Sequence, residues 1–213
     1  MTPSSMASGR LPDSLAADRR AVVFPLWLRV SHWLNTIATI VMLTSGWRIY
    51  NASPLFGITF PASITLGGWL GGALQWHFAA MWIVFVNGSL YLLANLATRR
   101  LFTRFFPISP RMIEADFVAA LRGRLLHDDP WRYNAVQRIA YLFVMLDLVL
   151  LVLTGLALWK SVQFPLLRDL FGGYELARRI HFFAMAGLVA FLVVHVVMSV
   201  LVPRTLVAMI RGR

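Results

Sequence analysis

The sequence predicts an all-α membrane protein, a bundle of four transmembrane helices, and three observations predict it. Hydrophobic residues make up 59% of the 213-residue chain, against roughly 45–50% in soluble domains. Charged residues fall to 14%, where about 25% is usual. Four long apolar segments follow one another, each near the ~20 residues a helix needs to cross about 30 Å of hydrocarbon. Composition therefore excludes a soluble globular domain. The absence of cysteine removes disulfide scaffolds, thiolate zinc sites, iron–sulfur clusters and cysteine nucleophiles together. Any metal must rest on His, Met or carboxylates.

Residues 1–22 are rich in Ser, Pro, Ala, Asp and Arg without a signal-peptide core, and read as a disordered cytoplasmic tail. Residues 23–213 form the membrane domain, with helices expected at Pro25–Ile49, Ala73–Ala97, Val136–Trp159 and Arg178–Val202. Helices are the natural reading because backbone in lipid must satisfy its own hydrogen bonds, and the short alternating segments of a barrel are absent. The connection Tyr50–Gly72, with its Gly pairs and Phe56, Phe60 and Trp69, reads as a lid or docking surface at the membrane face. The connection Thr98–Ala135 carries an amphipathic stretch near Met112–Leu126 that suits a helix in the interface plane.

The net charge of +11 could suggest nucleic acid, but the charges gather at the ends of apolar runs without forming a basic face. Fifteen of the 20 Lys and Arg fall on one side, in the N-terminal region up to Arg29, between helices 2 and 3 up to Arg138, and after helix 4; Arg48, Lys160, Arg168, Arg178 and Arg179 fall on the other side. The positive-inside rule then puts both termini in the cytoplasm.

Four of the five histidines lie inside apolar segments, where an ionisable group is costly and marks function by default. His181 and His195 are 14 residues apart, which on a helix is about 1400° and about 21 Å, so they share one face at two levels. His77 is level with His181 near the outer surface, and His32 is level with His195 at the inner one. Two bis-histidine pairs, His77 with His181 and His32 with His195, are what a bundle needs to hold two b-type haems stacked across a bilayer. Gly46 and Gly88 fall where helices 1 and 2 would pass the haem they do not ligate. A histidine-lined metal or proton pathway is the competing reading, although zinc favours ligands converging at one point.

Arg48, Arg178 and Arg179 at the outer level and Arg29 at the inner one are candidates to pair with haem propionates, against a plain role anchoring helix ends. Asp147, in the middle of helix 3, should face the bundle. A hydrogen bond to a polar group of a neighbouring helix explains it, and a proton role in quinone chemistry is the alternative. Asn134 and Gln137 open helix 3; they are candidates for a proton or quinone role, with capping by Asn134 the simpler account. His127, beside Asp128 and Asp129, reads as a surface residue.

The stretches Trp27–Trp33 (WLRVSHW), Ser45–Pro54 (SGWRIYNASP), Arg132–Tyr141 (RYNAVQRIAY), Leu153–Leu158 (LTGLAL) and Arg179–Phe183 (RIHFF) leading to His195 resemble, as a set, the bacterial four-helix di-haem cytochrome b group. That group includes the b-type subunit of nickel–iron hydrogenases, the gamma subunit of formate dehydrogenases and cytochrome b-561. The resemblance covers Phe24 to the C-terminus. It implies haem ligands at His32, His77, His181 and His195, the set that depth had already paired. It further implies a place in the bacterial inner membrane and respiratory electron transport between a periplasmic donor and membrane quinone. Ser45–Pro54 and Trp69–His77 are most similar to the subgroup serving periplasmic molybdopterin oxidoreductases of the sulfite-oxidase type. A standalone superoxide:ubiquinone oxidoreductase is the alternative within the resemblance. Whether the chain is itself an enzyme or an electron-transfer subunit stays open.

Overall fold

The computed structural model describes residues 24–99, 105–122 and 134–212. The tail, residues 1–22, and His127 lie outside the described residues. Among the described residues all regular structure is helical. In chain order it comprises α1 (Leu26–Asn51), a 3-10 turn (Ala62–Ile64), α2 (Leu70–Ala97), α3 (Pro110–Leu121), α4 (Ala135–Trp159), α5 (Pro165–Leu170), α6 (Tyr174–Leu201) and α7 (Pro203–Arg211).

Three of these, α2, α4 and α6, are long and apolar enough to cross a membrane, and the protein is an integral membrane protein. Helix α1 has 26 residues, which is about 39 Å of rise, but its Arg29, Ser31, His32, Asn35 and several threonines make it less apolar than the other three. Much of that polarity is satisfied within the helix. The hydroxyls of Thr36, Thr44 and Ser45 donate to the carbonyls of His32, Ile40 and Val41, each one turn back.

Helices α2 and α6 start three and four residues earlier than the sequence suggested, and turn glycines fix both starts. Before α2, Gly67 and Gly68 have φ of 105° and 69°. A Cβ at Gly67 would collide with the Ala73 backbone, so only glycine lets the chain fold tightly against the first turn of α2. Gly172 and Gly173, with φ of 74° and 93°, do the same before α6, whose first turn holds the favourably placed Glu175. Pro165 and Pro203 each sit at the first position of a new helix, where proline lacks no hydrogen bond that the helix would have made. Helix α7 is thus an element beyond the expected end at Val202.

The long helices pack as two antiparallel hairpins, α1 with α2 and α4 with α6. Small residues line both seams. Ala38 and Ser45 of α1, Ala73 and Ala80 of α2, Ala177 and Ala184 of α6 recur seven apart, with Thr154 and Ala157 on α4, and all are buried. Small side chains at this spacing let helix backbones approach closely without a hydrophobic driving force. Within the first hairpin, Ser31 Oγ donates to Asn87 Oδ1 at 3.0 Å and Asn87 Nδ2 returns to the Ser31 carbonyl at 2.9 Å.

Between the hairpins the arrangement is different. Their backbones approach only at isolated points, and the two are bridged by large rings: Phe78 with Trp159 at 4.9 Å, Tyr50 with Phe182 at 5.0 Å and His32 with His195 at 6.1 Å. At the Tyr50 end the connection between α1 and α2 folds back over the bundle. Asn51 grips the Phe60 backbone from both sides, its Nδ2 donating to the carbonyl at 2.8 Å and its Oδ1 accepting from the N–H at 2.9 Å. Phe60 then stacks on Trp47 at 4.9 Å. At the opposite end, Asp116 of α3 accepts from the Ala135 N–H at 2.6 Å, a carboxylate at the positive end of α4.

Candidate haem sites

His77 on α2 and His181 on α6 are held by closely similar surroundings. Nδ1 of His77 lies 3.1 Å from the Met42 carbonyl and 3.2 Å from Ser45 Oγ. A carbonyl only accepts, so Nδ1 carries the proton. The Ser45 hydroxyl is committed as donor to Val41 O at 2.6 Å and receives the same proton through its lone pair. Around His181, Thr154 Oγ1 donates to Leu150 O at 2.7 Å and stands 2.9 Å from Nδ1, which again makes Nδ1–H the donor. In both rings Nε2 is left as the lone-pair nitrogen, the tautomer that a metal ligand requires. His77 and His181 also lie within electrostatic reach of each other.

Each ring is flanked by the glycine that follows its hydroxyl residue. A Cβ built on Gly46 would stand 3.4 Å from Cε1 of His77, and one on Gly155 would stand 3.5 Å from Cε1 of His181. Ser45-Gly46 and Thr154-Gly155 are therefore equivalent cups, one on α1 for the α2 histidine and one on α4 for the α6 histidine. Ser45 and Thr154 are both fully buried. The sequence reading placed Gly46 at this level but missed Ser45, Thr154 and Gly155. A Ser/Thr-Gly pair on a helix facing a histidine is the signal that could have found them.

The second pair, His32 on α1 and His195 on α6, has ring centroids 6.1 Å apart with planes at 58°. Two imidazoles on one metal, with bonds of about 2.0 Å and roughly 1.1 Å from each nitrogen to its ring centre, would place centroids about 6.2 Å apart. The observed spacing fits two histidines sharing one iron. Phe191 stacks on His195 at 5.7 Å and 13°, and Trp33 meets His32 edge-on at 5.3 Å. Among the described residues the ring nitrogens of this pair show no counterpart of the Ser45 and Thr154 hydroxyls. A Cβ at Gly88 would meet nothing within 4 Å, so that side of α2 is open. Among the described residues, no three His, Asp or Glu converge on a common metal point.

The other residues singled out from sequence divide. Arg29 does not reach toward the histidines. Its Nε donates to Met209 O at 3.1 Å and its Nη2 to Ile210 O, so it closes the C-terminal end of α7, where a cation is favoured. Arg178 pairs with Glu175 at 3.7 Å, and Arg179 is exposed. Arg48 lies in the last turn of α1 and is half-buried. Beside it, Trp47 has a buried Nε1–H with no acceptor among the described residues, an orphan donor that an acidic substituent of a bound haem would satisfy. Asn134 and Gln137 form a reciprocal capping box at the start of α4, at 2.7 and 3.1 Å. Asp147 faces inward as expected, 7% exposed, but the interhelix hydrogen bond is not seen: its Oδ2 is buried without a partner among the described residues. The physical reason is that α6 presents Gly187 opposite the carboxyl, which brings no side-chain donor.

The chain matches the prokaryotic cytochrome b561 family over residues 23–212. It is 60% identical to the "Putative protein-methionine-sulfoxide reductase subunit YedZ1" of Azospira oryzae, over 89% of this chain and 96% of that one. Two proteins described as "Probable Ni/Fe-hydrogenase B-type cytochrome subunit" are more distant. The Cupriavidus necator protein is 27% identical over 91% of this chain and 88% of its own, and the Rhodobacter capsulatus protein 25% identical over 88% and 77%. No solved structure matches. With all but its N-terminal tail matched, the chain belongs to the prokaryotic cytochrome b561 family, membrane proteins that carry electrons on b-type haem.

Proposed function

We propose that the protein binds two b-type haems, one between His77 and His181 near the outer face and one between His32 and His195 near the inner face, and conducts electrons across the bacterial inner membrane. The single observation that carries this reading is the four histidines paired at two levels of one bundle. The outer pair has its Nδ1 protons already bonded, and the inner pair has ring spacing that suits one iron. Helix α1 serves as the fourth span, and both termini lie in the cytoplasm, as the distribution of basic residues requires.

A bound haem supplies the one-electron chemistry, and the chain supplies ligands, spacing and surroundings. The 14 residues between His181 and His195 set the two levels about 21 Å apart. Trp47 and Arg48 would hold the acidic edge of the outer haem, and the ring cluster of Tyr50, Phe56 and Phe182 keeps water from that end.

The electron partners are the membrane quinone pool inside and a periplasmic redox protein of the molybdopterin type outside. A relative 60% identical is named as a reductase subunit. A reductase consumes electrons, so that name favours flow from quinol outward, the reverse of the periplasmic donor read from sequence. The test is a reduced-minus-oxidised spectrum of detergent-purified protein with a pyridine haemochrome count. About two b-type haems per chain, reducible by a quinol, are expected. His181→Ala should lose the outer haem and His32→Ala the inner one. A folded protein without haem, or with both haems in any of the four single alanine variants, would falsify the ligand set.

A further inference from the structure

The two histidine pairs differ in what surrounds their rings. Both outer rings donate Nδ1–H to a fully buried hydroxyl, Ser45 for His77 and Thr154 for His181. Each hydroxyl is locked as an acceptor because its own proton goes to a carbonyl one turn back. A rotating surface hydroxyl could donate or accept; these two can only accept. His32 and His195 are surrounded instead by aromatic rings, Trp33 and Phe191.

From this asymmetry we propose that Ser45 and Thr154 are positioning residues that make the outer haem the more reducing of the two. The inference rests on the bis-histidine reading above. An imidazole whose Nδ1–H is donated to a fixed acceptor becomes a more basic ligand. A more basic ligand favours the ferric over the ferrous iron and lowers the potential, one of the levers a protein has on a haem. The hydroxyls also fix the tautomer, so that Nε2 is presented without a proton to displace. Gly46 and Gly155 complete the device by leaving room for no more than a methyl group beside each ring, a Cβ there standing 3.4 and 3.5 Å from Cε1 of His77 and His181. The consequence is a directional one: the haem nearest the outer face is better suited to give an electron to a partner than to keep it.

Full-length protein with both haems is titrated potentiometrically, and the outer midpoint is identified as the one lost in His181→Ala. Thr154→Val, which keeps shape and removes the hydroxyl, is expected to shift the ferric/ferrous preference of the outer haem about tenfold, or 59 mV upward for one electron. The inner midpoint should stay put, and Thr154→Ser should restore the original value. Ser45→Ala should move the same haem in the same direction by less, since the Met42 carbonyl remains as an acceptor at 3.1 Å. Loss of the outer haem in Thr154→Val but not in Thr154→Ser would also support the role, since only the hydroxyl distinguishes them. An unchanged outer midpoint with haem retained, an equal shift of the inner one, or haem loss in both variants would overturn it. Failure of the bis-histidine reading itself would show separately, as retention of both haems in His181→Ala.

Discussion

The clearance beside His77 can be put to a graded test. A Cβ at Gly46 would stand 3.4 Å from Cε1 and 3.7 Å from Nδ1 of His77, at the edge of ordinary contact. Gly46→Ala therefore keeps the ring in place, and the helix-interior gain of about 1 kcal/mol for alanine over glycine makes that variant as stable or more so. Gly46→Val adds methyl groups about 1.5 Å beyond Cβ, and its χ1 is held to one rotamer in a helix. The ring must then retreat by about 1 Å to restore carbon contacts near 3.5–4.0 Å. Its hydrogen bonds to Met42 and Ser45 start at 3.1 and 3.2 Å, so a shift of that size breaks both. At about 1 kcal/mol for each bond and about 1–3 kcal/mol for overpacking, the valine costs about 3–5 kcal/mol. The assay is haem per chain by pyridine haemochrome beside thermal unfolding in detergent. The alanine variant should keep the wild-type haem content with an equal or higher Tm, while the valine variant loses the outer haem. A valine variant with full haem content and an unshifted outer midpoint would refute the reasoning.

Three further outcomes are expected. Arg29→Gln removes the guanidinium from the Met209 and Ile210 carbonyls; trypsin should then cleave at Arg204 and Arg211 faster while haem content is unchanged, and a loss of haem instead would assign Arg29 to a propionate. Asn134→Ala removes the capping box of α4 and should cost about 1 kcal/mol, seen as faster amide exchange in the first turn of α4. Asn87→Leu breaks both bonds to Ser31. At about 0.6 kcal/mol for each polar contact between membrane helices, a loss near 1 kcal/mol in unfolding measurements is expected, and an unchanged value would mean that the Ala38 and Ala80 seam alone holds the hairpin.

The helices were legible because length and hydropathy dominate in lipid, and α2, α4 and α6 declare themselves by those alone. Helix α1 was read as a fourth apolar segment and does form a long helix, but its polar residues leave it less apolar than the other three. The level of Gly46 followed from helix rise. What sequence could not supply was the partner of each polar group. Thr154 reads as an ordinary hydroxyl in an apolar run until α6 is laid against α4 and His181 falls beside it. Arg29 read as a candidate for haem because α7, the element whose carbonyls it bonds, was not foreseen. The chain was expected to end its last helix at Val202, and Pro203 instead begins a further one. Asp147 was expected to find a donor because residues on the opposite helix were unknown in register, and the register puts Gly187 there.

The contrast between tight seams inside each hairpin and sparse backbone approach between them bears on how such a chain is built in the cell. Each hairpin closes on its own, through small residues seven apart and, in the first, the paired bonds of Ser31 and Asn87. Joining the two relies on rings that meet across the gap. Each histidine pair spans that division, one member from each hairpin. If the pairs ligate haem as proposed, cofactor delivery would also be an assembly step: each hairpin could close without haem, whereas the union of the halves would be reinforced as each iron is captured. When haem is scarce, the membrane would hold helical but loosely joined chains, and quality-control proteases would meet them at the seam between the hairpins.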